Sequence, residues 1–351
     1  ELAQTVQVED LAGLVEWMKA NAIDLCMAGE ESYLLKDEGL ANLCARNGIP
    51  CWGPPKEAAL LEGSKEFAKQ FMERHSIPTG KATVVESAEE AREVIGGAYP
   101  TVLKFDGLAA GKGVAVCPDG ESVEAFLDDV FGKKRFGEGS LLVEECLEGP
   151  EVSIFAAVSG RQALVFTPAR DYKLIGKGDT GANTGGMGAV ASRQLLEPEL
   201  MARIEEEIVN PTIEGLARDE LGYVGFLYFG LMLTADGPKV IEYNCRFGDP
   251  ECQAVMPLVS GDLASFCLEG AKGDLRPGLL GFDEGWSVGV ILASAGYPAS
   301  SHSGDIIGGL DLVEGARVYH AGTRRNEAGE WETNGGRVLA VVALGADRES
   351  A

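Results

Sequence analysis

Apolar positions along the first fifty residues switch between two periods. Leu11, Leu14, Val15 and Met18 recur at helical spacing behind Asp10, which predicts a helix with Asp10 as its N-cap. Residues 23–27 form a short apolar run closed by Ala28-Gly29, and a second helix over 36–46 leads to a second strand over 49–52. This alternation predicts a small parallel α/β unit over 1–53, a partial Rossmann-like domain whose first strand and glycine turn are not in the sequence. Gly53-Pro54-Pro55 ends it. Ser64 then caps a helix that buries Phe67, Ala68, Phe71 and Met72, with Lys65 and Lys69 off that stripe. A strand over 82–86 precedes a helix from Ser87 to Ile95, where Glu90 completes a capping box. Strands at 101–105 and 114–116 flank a glycine-rich tip, and a helix follows over 122–131. Two further strands, 141–145 and 152–158, read as a pair around the turn Leu147-Glu148-Gly149-Pro150-Glu151.

The second half is built differently. Residues 176–189, GKGDTGANTGGMGA, hold six glycines and predict no regular structure. Their interleaved Asp179, Thr180, Asn183 and Thr184 favour a binding loop over a linker. An acidic amphipathic helix runs over 198–217, broken at Asn210-Pro211. Residues 226–233 and 239–244 form a hairpin turning at Asp236-Gly237. Period-two alternation in its second strand puts Ile241 and Tyr243 on one face and Glu242 and Asn244 on the other. A helix over 262–270 precedes a stretch from Trp286 rich in valine and glycine turns, a small β-rich C-terminal domain. The fold class is α/β and α+β, in several domains.

A chain of 351 residues buries roughly 75% of its unfolded surface, enough for a large core without staples. Its net charge of −25 argues against nucleic acid as a partner. No run of 18 apolar residues exists to span a membrane. The eight cysteines show no CxxC pair and no nearby histidine, which argues against zinc and for reduced thiols in the cytoplasm. The sequence opens at Glu1 without a methionine or a signal-like segment and reads as a piece of a longer chain.

The central stretch for chemistry is TVLKFDGLAAGKGVAV, 101–116. Gly107, Gly111 and Gly113 allow backbone N–H groups to approach a ligand closely, and Lys104 and Lys112 bring positive charge to the same place. The spacing is not that of a Walker A loop, and a strand rather than a helix follows. The stretch is either a lid over a polyphosphate or an ordinary glycine hairpin. Glu242 and Asn244 offer hard oxygen donors on one strand face, the set magnesium takes alongside substrate phosphates and water, or else they are a polar outer face. Arg246 suits a bidentate clamp on a carboxylate or phosphate. Lid, oxygen donors and arginine together imply ATP-driven activation of a substrate. His75, His302 and His320 sit in unrelated segments and read as structural or surface residues.

The segments LKFDGLAAGKGV, VEECLEGPEVS, GDTGANTGGMGA and VIEYNCRFGDPECQ resemble the phosphoribosylamine–glycine ligase family of the ATP-grasp superfamily. LEGSKEFAKQFM, LASAGYP and YHAGT are similar to it too, so the resemblance covers about 8–345. LAAGKGV alone points to the superfamily; NTGGMG with EYNCRFGDPE points to the ligase. The resemblance implies an ATP-grasp domain over 54–280 with a lid subdomain near 101–165, between the partial N-terminal unit and a partial C-terminal domain over 281–351. It implies ligation of glycine to 5-phosphoribosylamine through glycyl phosphate in purine biosynthesis, with ATP and Mg2+ (or Mn2+) as cofactors, by a monomer or homodimer.

Carried over by motif, Lys65 and Lys104 hold ATP phosphates under the lid Gly107, Gly111, Lys112 and Gly113. Glu144 and Leu147 meet adenine through the hinge backbone, and Glu151 meets the ribose. Glu242 and Asn244 bind the metal. Asp171, Lys173, Asp179, Asn183, Gly185 and Gly186 line the glycine and phosphoribosylamine side. Arg246 takes the transferred phosphoryl group or the glycine carboxylate and, with Lys104, is catalytic. Leu174 stands where the family often has a basic residue, Ala182 where it usually has proline, and Ala28-Gly29 where it usually has Gly-Pro. The family's N-terminal GGREHAL-type motif precedes Glu1. A chain lacking both ends is expected to bind nucleotide and turn over poorly. Two other readings stay open: another ATP-grasp carboxylate–amine ligase, or a catalytically impaired ATP-binding module.

Overall fold

The computed structural model describes residues 5–107, 109, 113–178 and 180–351. Near the N-terminus, the Asp10 carboxylate accepts the Gly13 N–H at 2.7 Å and starts helix Leu11–Ala20, which buries Leu11, Val15 and Met18. The run over 23–27 yields only the short strand Cys26–Met27, parallel to Cys51–Trp52 as expected. The helix expected over 36–46 is instead two, Glu31–Leu35 and Leu40–Arg46. Gly39, at φ 85°, lies outside helical space and separates them. After Gly53-Pro54-Pro55 comes a helix absent from the sequence reading, Lys56–Gly63, ahead of the expected Lys65–Arg74.

Two sheets organise the rest. The smaller has the spatial order Ala82–Val85, Leu141–Glu145, Thr101–Phe105, Val114–Cys117, antiparallel throughout. Helices Ala88–Ile95 and Gly120–Leu127 cover it, packing Ala91, Ile95, Val123 and Leu127 onto Leu103, Phe105 and Leu141. The Ser87 hydroxyl caps Glu90 N–H at 3.2 Å, but the Glu90 carboxylate returns to the Glu86 N–H at 2.8 Å, one residue outside the expected box. The glycine hairpin pairs as read, Thr101 opposite Cys117 and Lys104 opposite Val114.

The strands expected to pair around 147–151 do not. Leu141–Glu145 lies in the small sheet, whereas Glu151–Ser159 lies in the large one. Both are apolar enough to join any sheet, and the segment between them crosses from one to the other. Gly149 makes that crossing possible: it sits at φ 150°, and a Cβ there would lie 2.1 Å from the Leu233 carbonyl oxygen. Backbone cannot yield as a side-chain tip can. Gly149→Ala is expected to cost about 2–4 kcal/mol in urea unfolding, more than an exposed loop substitution.

The large sheet has nine strands. Its spatial order is Gly237–Asn244, Val224–Thr234, Glu151–Ser159, Ala169–Asp171, Gly188–Ala191, Trp286–Ala293, Arg337–Gly345, Ala316–His320, with Gln162–Val165 also on Glu151–Ser159. The C-terminal strands therefore continue this sheet through the pairing of Trp286–Ala293 with Gly188–Ala191. Phe71, Ile208 and Leu216 cover one face against Phe229 and Val240, and Trp52 and Phe266 cover the other against Phe155 and Phe226. Residues 176–189 are more regular than their glycines suggested. Leu174–Gly176 pairs with Thr180–Asn183, and Gly188–Ala191 is a buried strand of the large sheet. The helical stretch from Pro198 is not broken at Asn210-Pro211. A π-helical turn, Glu205–Val209, joins Pro198–Ile204 to Asn210–Arg218, and the proline falls in the first turn after it, where a missing N–H is tolerated. Among the described residues, no helix is long and apolar enough to cross a membrane.

Candidate active site

The edge strand Gly237–Asn244 fixes the site. Its register with Val224–Thr234 shifts between Gly230, opposite Glu242, and Leu231, opposite Val240, so Ile241 is the extra residue of a bulge. The bulge breaks the expected alternation: Val240 and Tyr243 share the core, not Ile241 and Tyr243. Beyond it the pairing is regular, which keeps Glu242 and Asn244 on one face. Glu242 is exposed there, and Gly230 keeps the space open, since a Cβ on it would sit 2.9 Å from the Glu242 Cγ. The Ile241 carbonyl accepts from Lys104 Nζ at 3.0 Å, which ties the small sheet to the large one.

Lys104 is 7% exposed and reaches across from the small sheet. Its partner is Glu144, whose Oε2 lies 2.7 Å away while Lys69 Nζ holds Oε1 at 2.5 Å. Lys69 also donates to Thr79 Oγ1 and the Gly80 carbonyl, both at 2.8 Å. Glu144 thus serves by its side chain, as the buried anion between two lysines. Its backbone lies between two neighbouring strands, and its carbonyl also accepts the Thr101 hydroxyl, so the hinge backbone open to a ligand begins after Glu145, near Leu147. Lys69, dismissed as off-stripe, belongs to the site; an i, i+4 lysine pair beside a helix N-cap was the available signal.

Lys65 begins the helix Lys65–Arg74 and donates from Nζ to the Gly107 carbonyl at 3.0 Å. The Asp106 carboxylate occupies that helix's N-terminus, accepting from the Lys65 N–H at 2.5 Å, the Glu66 N–H at 3.2 Å and the Ser64 hydroxyl at 3.1 Å. Burial lowers the Lys65 pKa, against the pull of Asp106 and Glu242. Gly107 and Gly113 flank the tip of the hairpin; Gly111 and Lys112 lie outside the described residues, as does Asp179.

Two further charged groups face the same strand. Arg246 pairs with Glu31 at 2.8 Å and Glu62 at 3.1 Å, and donates to the Phe247 carbonyl at 3.1 Å. Burial lifts the Glu62 pKa to about 7 despite Arg246 and the Cys245 N–H, which donates to it at 2.6 Å. Lys173 pairs with Glu151 at 2.6 Å and lies 3.8 Å from Asp171. Burial works against its charge, but Tyr228, Asp171, Glu151 and Glu242 outweigh it and raise its pKa. The Glu242 charge favours the protonated forms of Lys65, Arg246 and Lys173 alike. The two sheets meet where Lys104 reaches the Ile241 carbonyl, one residue before Glu242.

Behind Lys173, Glu251 is 4% exposed and accepts the Ser153 hydroxyl at 3.0 Å. Burial, then the neighbouring Asp171, raises its pKa to about 7. The folded chain keeps this proton up to about pH 7, whereas an unfolded glutamate releases it near 4.5. The stability it brings is fully present below pH 4.5 and is lost as pH rises through 7. Glu251→Gln, neutral at every pH, is expected to remove roughly 3 kcal/mol of the decline between pH 5 and pH 8, read from urea midpoints across that range.

The second glycine loop is held from an unexpected side. Arg337, on the strand Arg337–Gly345, donates to the Gly185 carbonyl at 2.6 Å, to the Asp249 carbonyl at 2.7 Å and to Asp249 Oδ2 at 2.8 Å. The Tyr297 hydroxyl accepts the Gly185 N–H at 2.9 Å. Gly186, at φ 106°, lies against Pro250, where a Cβ would come within 2.4 Å of Cδ. Asn183 ends the exposed strand Thr180–Asn183. Arg337 and Tyr297 lie more than a hundred residues beyond the loop they fix; Tyr297 stands in the LASAGYP segment, but nothing local ties either residue to Gly185.

Comparison with known proteins identifies the family. Family models of phosphoribosylglycinamide synthetase match nearly end to end: the N domain at residues 1–62, the ATP-grasp (A) domain at 63–252 and the C domain at 287–351. A phosphoribosylamine–glycine ligase of Vibrio parahaemolyticus is 44% identical over 346 residues, covering 97% of this chain and 80% of that protein. The trifunctional purine biosynthetic protein adenosine-3 of Drosophila melanogaster is 42% identical over 349 residues, which are 26% of its length. Among solved structures, the phosphoribosylamine–glycine ligase of Thermotoga maritima superposes with a TM-score of 0.81 at 35% identity, covering 93% of this chain and 79% of that one. The biotin carboxylase domain of the Hydrogenobacter thermophilus 2-oxoglutarate carboxylase superposes with a TM-score of 0.71 at 20% identity, covering 97% and 76%, a likeness of fold.

Proposed function

The chain belongs to the phosphoribosylglycinamide synthetase family, and from that premise we propose that it is a phosphoribosylamine–glycine ligase of purine biosynthesis. It joins the glycine carboxylate to the amine of 5-phosphoribosylamine and converts ATP to ADP and phosphate. The observation that carries this reading is the buried Lys69–Glu144–Lys104 cluster, whose Lys104 reaches the Ile241 carbonyl next to Glu242 and so ties the two sheets together.

A carboxylate is a poor electrophile because oxide is a poor leaving group. Transfer of the γ-phosphoryl group makes glycyl phosphate, whose carbonyl the sugar amine attacks with loss of phosphate. Lys65 and Lys104 meet the phosphates of ATP, and Glu144 holds Lys104 in place. The hinge backbone near Leu147 meets the adenine, and Glu151 the ribose once Lys173 shares it. Glu242 and Asn244 fit a hard divalent cation, magnesium or manganese, because both donors are oxygens and Gly230 leaves room beside them. Such an ion neutralises phosphate charge. Arg246, held by Glu31 and Glu62, presents its remaining donors to the glycine carboxylate or the moving phosphoryl group. Lys173, Asp171 and the loop 183–186 line the sugar side. The glycine hairpin keeps water from the acyl phosphate.

ADP formation with glycine and freshly made phosphoribosylamine, each omitted in turn, tests this. The expected result is ADP release only when both are present. Release with other small carboxylates and no need for phosphoribosylamine would overturn it.

A further inference from the structure

Three of the eight cysteines, with no shared sequence spacing, meet in the N-terminal unit. Cys26 lies on the strand Cys26–Met27, Cys44 on the helix Leu40–Arg46 and Cys51 on the strand Cys51–Trp52. Their three sulfurs all lie within 4.8 Å of one another. Among the described residues, no histidine or carboxylate joins the group.

The backbone around them is well tied. Cys26 and Cys51 are register partners in the parallel pair, and the Cys26 N–H donates to the Pro50 carbonyl at 2.9 Å. The Cys44 carbonyl accepts from the Ile49 and Asn47 N–H groups, both at 3.0 Å. Cys44 is fully buried, Cys26 is 8% exposed, and Cys51 is half-buried. Leu11, Val15, Met18, Leu40 and Ile49 form an apolar shell.

A metal bound to three thiolates at about 2.3 Å in one plane needs a triangle with edges of roughly 4 Å. The observed triangle requires a contraction of less than about 1 Å, within reach of cysteine rotamers. Three soft donors without a nitrogen or oxygen partner match a soft ion content with trigonal coordination. Zinc prefers four ligands in a tetrahedron. We propose that Cys26, Cys44 and Cys51 form a trigonal thiolate site for a soft monovalent cation of the Cu(I) class. Binding exchanges the protons of the coordinating thiols for the metal, with no change of oxidation state. The bound ion would staple both strands to the helix.

The test is anaerobic titration of the reduced protein with Cu(I) against a chromophoric Cu(I) chelator. One equivalent per chain is expected to resist the chelator, with sulfur-to-copper absorption in the near ultraviolet and a raised unfolding temperature. Cys51→Ser, at the half-buried corner, should weaken retention by more than the roughly 10–100-fold that loss of a supporting contact costs. Cys252→Ser, a half-buried cysteine outside the group, should retain the equivalent. Stoichiometry unchanged by both Cys51→Ser and Cys44→Ala in folded protein would overturn the proposal. So would equal retention of Zn(II), or no retention of Cu(I).

Discussion

Glu242→Gln lowers kcat by on the order of 10^2–10^3 while leaving the urea midpoint nearly unchanged. The side chain is exposed on the edge strand, so little packing is lost, and a surface change of this kind stays within about 0.5 kcal/mol. Its charge, by contrast, favours the protonated forms of Lys65, Lys173 and Arg246. Neutralising it removes the hard ligand proposed for the divalent ion and weakens that electrostatic support. Loss of one preorganised electrostatic group commonly costs about that factor. Steady-state rates over a range of magnesium concentrations check this: the concentration giving half-maximal rate should rise as well. Full activity at ordinary magnesium would place the metal site on a different strand.

Lys104→Met differs because it damages both rate and fold. Lys104 is one of two cations holding Glu144, which is 2% exposed. Removing one partner of a buried pair costs about 3–5 kcal/mol, and Lys69, still 2.5 Å from the carboxylate, keeps the loss near the lower end. The link to the Ile241 carbonyl also goes, so the two sheets lose one tie. Activity should fall by at least about 10^2, because a cation facing the developing phosphate charge is gone. Urea unfolding and kcat/KM measured on the same preparation separate the two effects. The double change Lys104→Met with Glu144→Gln should recover part of the stability and none of the rate.

What could be read from the chain depended on how local its cause was. The glycine hairpin was legible because two β-branched runs and a glycine tip lie within seventeen residues, and both strands pair as expected. The hairpin from Val224 to Asn244 was legible for the same reason. The caps at Asp10, Ser64 and Ser87 were also local, each a side chain meeting an N–H three residues on. Partner choice between distant strands was not. Leu141–Glu145 and Glu151–Ser159 look like a hairpin in sequence, and only Gly149 against the Leu233 carbonyl sends them to different sheets. The bulge at Ile241 escaped because it is set by register with the neighbouring strand rather than by composition.

The candidate site follows the same rule. Lys65, Lys104, Glu242, Asn244 and Arg246 stand in motifs and were found there. Lys69 was legible only as a helix residue off the buried stripe, and its partner Glu144 comes from the small sheet. Arg337, on a C-terminal strand, and Tyr297, in the turn of LASAGYP, hold Gly185, and nothing in the sequence links either to that loop. The cysteine trio was invisible for the opposite reason: the cysteine spacing argues against zinc, and only the fold brings the three sulfurs together.

The central claim is that the site between the two sheets activates glycine by phosphoryl transfer before the amine attacks. Glycine labelled with 18O in its carboxylate, turned over with ATP and phosphoribosylamine, tests it most directly. The account predicts one labelled oxygen in each phosphate released and one retained in the amide product. Unlabelled phosphate, with ADP still formed, would contradict it.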